Sequence, residues 1–356
     1  MTLASRINAQ KPVRDSSDAV CLRYFNAVKT YTSRNLTYSS DMLNAFAGVL
    51  STQSKAFRTE THYGLPACFF DLALLWQPTV QITRRPGFPS WSWAGWSGAV
   101  RWLGDTMGLA SYWPSRELEL EKVTEWHVKH TWIMWRKYGE YDDENLIWNY
   151  SRKARCETGE DDIGYRANFS TSENPYGRTR DMDPNGPNFN SIRSPAPIKI
   201  DNSKLPLKED AYLHFSAVSA RYRIRPSTAY LKYGSLDPNW EPAGRVVFHI
   251  LNQNMAISGY VLLDESWREI YSSSPETEYE FILLSDADYY CSWGRPHEGH
   301  PYKKSWEMED YIEYHVMMIK WMKEGTAERV GLGRLHHEAL KDAWGEGYVW
   351  KEIVLG

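Results

Sequence analysis

The stretch Pro86-Gly87-Phe88-Pro89-Ser90-Trp91-Ser92-Trp93-Ala94-Gly95-Trp96 decides how the rest of the chain is read. On an extended backbone successive side chains leave opposite faces, so Trp91 and Trp93 share one face while Ser90 and Ser92 take the other. The spacing predicts a strand with an aromatic face. Gly95 and Gly98 lack a Cβ and allow the bend or close backbone approach that returns Trp96 to the same packed surface.

Upstream, Val20, Tyr24, Ala27, Val28 and Tyr31 fall near helical spacing behind Ser16, Ser17 or Asp18 as cap, which predicts a helix over 18–34. Leu43, Phe46, Ala47 and Leu50 repeat at i, i+3, i+4 and i+7 after Ser39 or Ser40, the pattern of a second amphipathic helix. Pro66 suits a first helical turn, and Phe69, Phe70, Ala73, Leu74 and Trp76 predict a third helix over 66–77 that Pro78 ends.

Downstream, the pattern fails between about Tyr138 and Leu205, where Gly, Pro, Asn, Ser and charge dominate. This segment reads as a mobile loop or insertion, because structureless connections beyond roughly 12 to 15 residues are uncommon inside compact domains. From Ala211 onward strand signals recur: Leu213 to Arg225, Arg245 to Ile250, Tyr260 to Leu263, Tyr279 to Ser285, Tyr314 to Trp321 and Glu328 to Leu335. In the first of these the apolar phase changes from odd (Leu213, Phe215, Ala217) to even (Val218, Tyr222, Ile224), which predicts a bulge or corner near Ala217. Gly325 supplies the hairpin between the last two long strands, and a short helix over His336 to Trp344 precedes a terminal strand. The expected fold class is α+β: short N-terminal helices on a tryptophan-rich region (18–137, after a disordered 1–17), the 138–205 insertion, and an antiparallel sandwich or barrel over 206–356.

A formal net charge of −4 gives no overall attraction to nucleic acid or anionic lipid. Cys21, Cys68, Cys156 and Cys291 are too scattered for a disulfide framework, and no apolar run reaches the length of a signal peptide core or a membrane span. The expectation is a cytoplasmic protein in which the sequons at Asn35, Asn149 and Asn168 stay unused. Seventeen tryptophans point to a fold pinned by large rings; exposed indoles would instead support a carbohydrate-binding or carbohydrate-active protein.

No residue pattern names a catalytic centre, and neither cofactor nor metal is expected. His127 with His130, and His336 with His337 beside Glu338, have no further ligand at a spacing zinc requires. His297 and His300 sit in a Gly/Pro turn. Arg221, Arg223 and Arg225 alternate along a strand and read as its wet face rather than a phosphate-binding stripe. Carboxylates such as Asp286 and Asp288, or Asp142, Asp143 and Glu144, single out no acid/base pair. Arg84 and Arg85 are readable as ion-pair or stacking partners of the indoles, or as a partner-binding edge. Asp71 is readable as a polar-face residue or as a buried partner of one of these arginines.

The run "RRPGFPSWSWAGWSG", with "LTYSSDMLNAFAGVL" and "GLPACFFDLALLW" before it and "AERVGLGRLHHEAL" then "WKEIVLG" at the far end, resembles the heterokaryon incompatibility (HET) domain proteins of filamentous fungi. The matches span most of residues 24 to 356 with a weak middle. They rest on Asp71, Arg84, Pro89, Trp91, Trp93, Gly95, Trp96, Arg329, Gly331, Gly333 and Trp350, for which the resemblance implies structural roles. It also implies nonself recognition and cell-death signalling through a protein partner; that no nucleic acid is expected follows from the charge. The family's front carries a Ser-Tyr-x-Trp-Gly-like and an Arg-Gly-Trp-Thr-x-Gln-Glu-like run, and this chain has neither; the string Tyr290 to Gly294 differs in order and position. The expected role is therefore a non-enzymatic recognition or regulatory portion, or a degenerate remnant, of such a protein.

Overall fold

The computed structural model describes residues 17–34, 38–57, 59–102, 133–139, 145–147, 195–227, 244–287 and 313–356, and over these the chain is α+β. Helix α1 (Ser17–Thr32) buries Tyr24, Phe25, Val28 and Tyr31. Helix α2 (Met42–Phe57) follows a 3-10 turn at Ser39–Asp41 and buries Met42 and Phe46. Ala47, expected on the buried face, is exposed. The contact with α1 lies nearer Met42, whose carbonyl accepts from the Tyr31 hydroxyl at 2.8 Å.

The predicted third helix is broken into pieces. Thr61–His62 (β1) pairs with Leu65–Pro66 (β2), so Pro66 is extended (ψ 132). Its fixed φ suits a strand as well as a helix start. A 3-10 turn at Ala67–Phe69 leads into α3 (Phe70–Leu74), and Trp76 belongs to a strand instead. The next strands are β3 (Trp76–Pro78), β4 (Thr83–Arg84), β5 (Trp96–Ser97) and β6 (Val100–Trp102); β3 pairs with β6 and β4 with β5.

The tryptophan run between β4 and β5 is not the predicted strand. Ser92 Oγ accepts from the Ala94 N–H at 3.0 Å and caps a 3-10 turn at Trp93–Gly95. A short hydroxyl offers the backbone this local alternative to a ladder, and the turn separates Trp91 from Trp93. Each indole goes to a different neighbour.

Strand β7 (Arg136–Lys137) precedes β8 (Leu213–Pro226), β9 (Arg245–Leu251), β10 (Ile257–Asp264), helix α4 (Trp267–Ser273), β11 (Glu278–Ala287), β12 (Glu313–Trp321), β13 (Ala327–His336) and β14 (Trp344–Leu355). Antiparallel pairings run β8–β9–β10–β13–β12–β11 and return to β8, closing a barrel. Closure removes the exposed strand edges of an open sheet. At the β10–β13 seam Gly333 brings the backbones together: a Cβ there would sit 2.1 Å from the Tyr260 carbonyl oxygen. The hairpin after β12 turns on Gly325 (φ 84), as its sequence predicts.

Strand β8 shows no bulge near Ala217. Its pairing with β14 keeps register from Leu213 to Ser219. The change of apolar phase marks the corner rather than the bulge: odd residues Leu213, Phe215 and Ala217 enter one core and even residues Val218, Ala220, Tyr222 and Ile224 another, as the strand's partners change from β14 over Leu213 to Ser219 to β11 over Ser219 to Arg223. The second core is the barrel interior, closed by the 3-10 turn His337–Leu340, where the Ala339 carbonyl accepts from Tyr222 at 2.9 Å. The first core joins the barrel's outer wall to the tryptophan layer.

Within 138–205, the described residues Ile198, Ile200 and Leu205 pack on Tyr138, Tyr212 and Val354; the rest of that segment lies outside the described residues, as does 1–16. Among the described residues no helix is long and apolar enough to cross a membrane.

Candidate functional site

The runs that carry the family resemblance meet at one buried junction. Ser90, with no exposed surface, donates its hydroxyl to the Gly356 carbonyl, and its own N–H reaches the same oxygen at 2.9 Å. The Arg329 N–H donates to Ser90 Oγ at 2.8 Å. The Arg329 guanidinium crosses from β13 into the N-terminal layer, donating to the Leu74 carbonyl at 2.8 Å and to the Trp76 carbonyl, and stacks on the Trp76 ring at 3.7 Å. Among the described residues it makes no ion pair. Burial, with like charge on Arg245 as the lesser cause, pushes its pKa well below the usual arginine value. Arg245 itself pairs with Asp264.

Every indole at this junction uses its N–H. Trp76 donates to the Trp91 carbonyl (2.9 Å), Trp91 to Ala211 (3.1 Å), Trp96 to Ser90 (2.7 Å), Trp102 to Leu72 (2.8 Å) and Trp93 to the Tyr24 hydroxyl (3.1 Å). The Tyr24 hydroxyl in turn donates to the Gly64 carbonyl at 2.7 Å. An indole supplies both a large buried surface and one donor that must be satisfied, so these rings fix turns as well as fill space.

The two arginines before the run serve backbone carbonyls. Arg84 donates to Gly95 (2.6 Å) and Phe88 (3.1 Å), lies over Trp96 at 5.1 Å and faces Glu328 at 3.5 Å. Arg85 donates to Ala94 and Trp96, both at 2.8 Å. The ion-pair and stacking reading therefore holds for Arg84. Asp71 partners neither arginine; it is buried in α3 and accepts from the Trp135 indole. Gly95 permits the turn, since a Cβ there would lie 2.2 Å from the Pro89 carbonyl oxygen. Pro89 is buried at the same turn. Gly331 and Gly333 lie in β13 at the β10 seam, where a Cβ on Gly331 would meet Leu263 at 2.6 Å. Half-buried Trp350, opposite Val218 in β14, packs on the barrel interior.

His62 stacks on Trp91, ring centroids 5.4 Å apart. Burial, then repulsion from Lys137, lowers its pKa to about 4. Burial, then Arg136, does the same to His214. His214 lies 3.6 Å from Glu352, but with a pKa near 4 it is neutral at pH 7 and the contact is not an ion pair there.

No known family model, curated protein or solved structure matches this chain.

His336 and His337 are helix-end residues, and His336 Nδ1 accepts from the Glu338 N–H at 3.3 Å. No group of His, Cys, Asp and Glu among the described residues is placed to hold a metal ion. Arg221 and Arg223 pair with Glu278 and Glu276, and Arg223 stacks on Trp344 at 3.8 Å. His127, His130, His297, His300, Asp142, Asp143, Glu144, Asp288, Cys156, the Tyr290 to Gly294 string and the side chain of Asp286 lie outside the described residues. Ser90 and Tyr24 are the junction residues that sequence reasoning missed. Two serines alternating with indoles are the signal for the first: a small hydroxyl between large rings can serve backbone groups that the rings shut off from water.

Proposed function

We propose that the chain is a recognition or regulatory module in a nonself response of the heterokaryon-incompatibility type, acting in the cytoplasm through a protein partner and without catalysis of its own. One observation carries this reading. The separate runs on which the resemblance rests, around Ser90, around Arg329 and at residues 350–356, converge on a single buried junction. They behave as one structural unit, as expected of a scaffold whose function is to hold a fixed surface. The carbohydrate reading drew on exposed indoles; Trp76, Trp91, Trp93, Trp102 and Trp135 are buried, and Trp321 is exposed.

The test is expression at native level in a filamentous-fungal host, scoring survival of fused cells. The native chain is expected to change survival, and Arg329→Met, which opens the junction, is expected to abolish the change. Unaltered survival with the native chain, or cleavage of a dinucleotide by the purified protein, would overturn the reading.

A further inference from the structure

Three arginines of β8, Arg221, Arg223 and Arg225, occupy alternate positions and therefore share one face of the strand. Acids next to β8 answer the first two. Arg221 faces Glu278 at 3.5 Å, and Arg223 pairs with Glu276. Register puts Glu280 directly opposite Arg221 and Glu278 directly opposite Arg223, so each guanidinium reaches the acid two residues before its direct partner. The same step takes Arg225 to position 274. A serine stands there, and among the described residues the exposed Arg225 has no carboxylate partner.

Ser274 is the last of three serines where α4 ends. Ser272 and Ser273 donate back to the Arg268 and Glu269 carbonyls at 2.8 and 2.9 Å. Ser274 has left the helix (φ −153, ψ 69). It is exposed, and its hydroxyl makes no hydrogen bond among the described residues. Pro275 follows and cannot continue a helix. The Thr277 N–H donates to the Ser274 carbonyl at 3.2 Å, a turn that keeps residue 274 next to the start of β11. Helix α4 packs on β8, so the turn lies beside the arginine row.

We propose that Ser274 is a phosphorylation site and that Arg225 receives the phosphate, completing the row of acid–arginine pairs. The Ser274 oxygen attacks the terminal phosphorus of ATP held by a proline-directed protein kinase; the bond to ADP breaks, and the hydroxyl proton passes to the kinase's base. From Cβ to a terminal oxygen phosphoserine has as many bonds as glutamate, so it spans the gap that Glu276 and Glu278 span. A guanidinium takes two phosphate oxygens at once. The carbonyl end of α4 and the charge of Glu276 oppose the modification, but α4 has only seven residues and Arg223 already neutralises Glu276. The phosphate then ties the exit of α4 to β8. This site does not depend on the nonself reading.

The test is incubation of the full chain with ATP and a proline-directed kinase, peptide mass spectrometry to map the acceptor, and a phosphorus NMR titration of the product. Phosphate on Ser274 is expected, and its loss in Ser274→Ala. Phosphoserine has its second pKa near about 6; in the folded product it is expected to lie lower, and to return towards about 6 in phosphorylated Arg225→Gln. Melting curves establish that the variant is folded; should it not fold, the native product in urea supplies the comparison. Absence of phosphate from Ser274, including its confinement to other residues, overturns the proposal. So does a phosphate titration that Arg225→Gln, or urea in its place, leaves unchanged.

Discussion

Ser90 and Arg329 are 239 positions apart in the chain, yet the backbone N–H of Arg329 donates to the Ser90 hydroxyl at 2.8 Å. That hydroxyl at the same time donates to Gly356, so one small side chain links the tryptophan turn, the thirteenth strand and residue 356. In Ser90→Ala the Gly356 oxygen keeps the Ser90 N–H, but the Arg329 N–H is left buried without an acceptor. The expected cost is about 1 to 3 kcal/mol, measured by urea unfolding.

Arg329→Met removes the guanidinium that serves Leu74 and Trp76. Both carbonyls then lose a donor in a site closed to water, while the aliphatic stem still covers the Trp76 ring. A loss of about 2 to 5 kcal/mol is expected, with the heat-unfolding midpoint as the measurement. A variant melting like the native chain would show that the junction does not hold the layer to the barrel.

Trp93 has no exposed surface and packs against Tyr31 and Phe46. Trp93→Ala is expected to cost about 3 to 5 kcal/mol. Trp93→Phe fills most of the space but leaves Tyr24 without its indole donor, so a smaller loss is expected in the same unfolding assay.

The Asn252–Ala256 hairpin places Met255 at φ 59 with 45% of its surface exposed. An L side chain is strained there and glycine is not. Met255→Gly is therefore expected to raise stability by about 0.5 to 1 kcal/mol, read as a higher urea midpoint.

His62 and His214 both titrate near 4 in the fold, through burial first and neighbouring cations second, against about 6.5 in an unfolded chain. Between those values the unfolded state binds more protons, so stability falls as pH drops from about 6.5 to about 4 and loses nothing further from these groups below that. Each histidine contributes at most about 3 kcal/mol to the loss. Urea midpoints measured across this window should decline, and His214→Asn should flatten the curve.

Much of the barrel was legible because apolar and β-branched runs recur between turn residues: β9, β12 and β13 begin or end within a residue or two of the bounds their patterns predict. The N-terminal layer was less so. Trp91-Ser92-Trp93 has the period of a strand, and a single hydrogen bond from Ala94 to Ser92 makes it a turn; such a competition between local bonds leaves no mark in the spacing. The phase change in β8 was visible at Ala217, but a bulge and a strand serving two cores produce the same pattern. Arg84 was readable beside its indoles, since contact at short range follows from chain position. The meeting of Ser90 with Arg329 was not, because nothing within either run reports a partner so remote.

The two-sided burial of β8 has a consequence for synthesis. While the chain emerges from the ribosome, the aromatic surface around Trp76 to Trp102 has no wall to close against until β8 has paired, and the Ser90 site stays unfilled until residue 356 has emerged and docked. The tryptophan-rich layer therefore presents apolar rings to solvent until the last strand arrives, the kind of incomplete surface that favours aggregation of partly made chains.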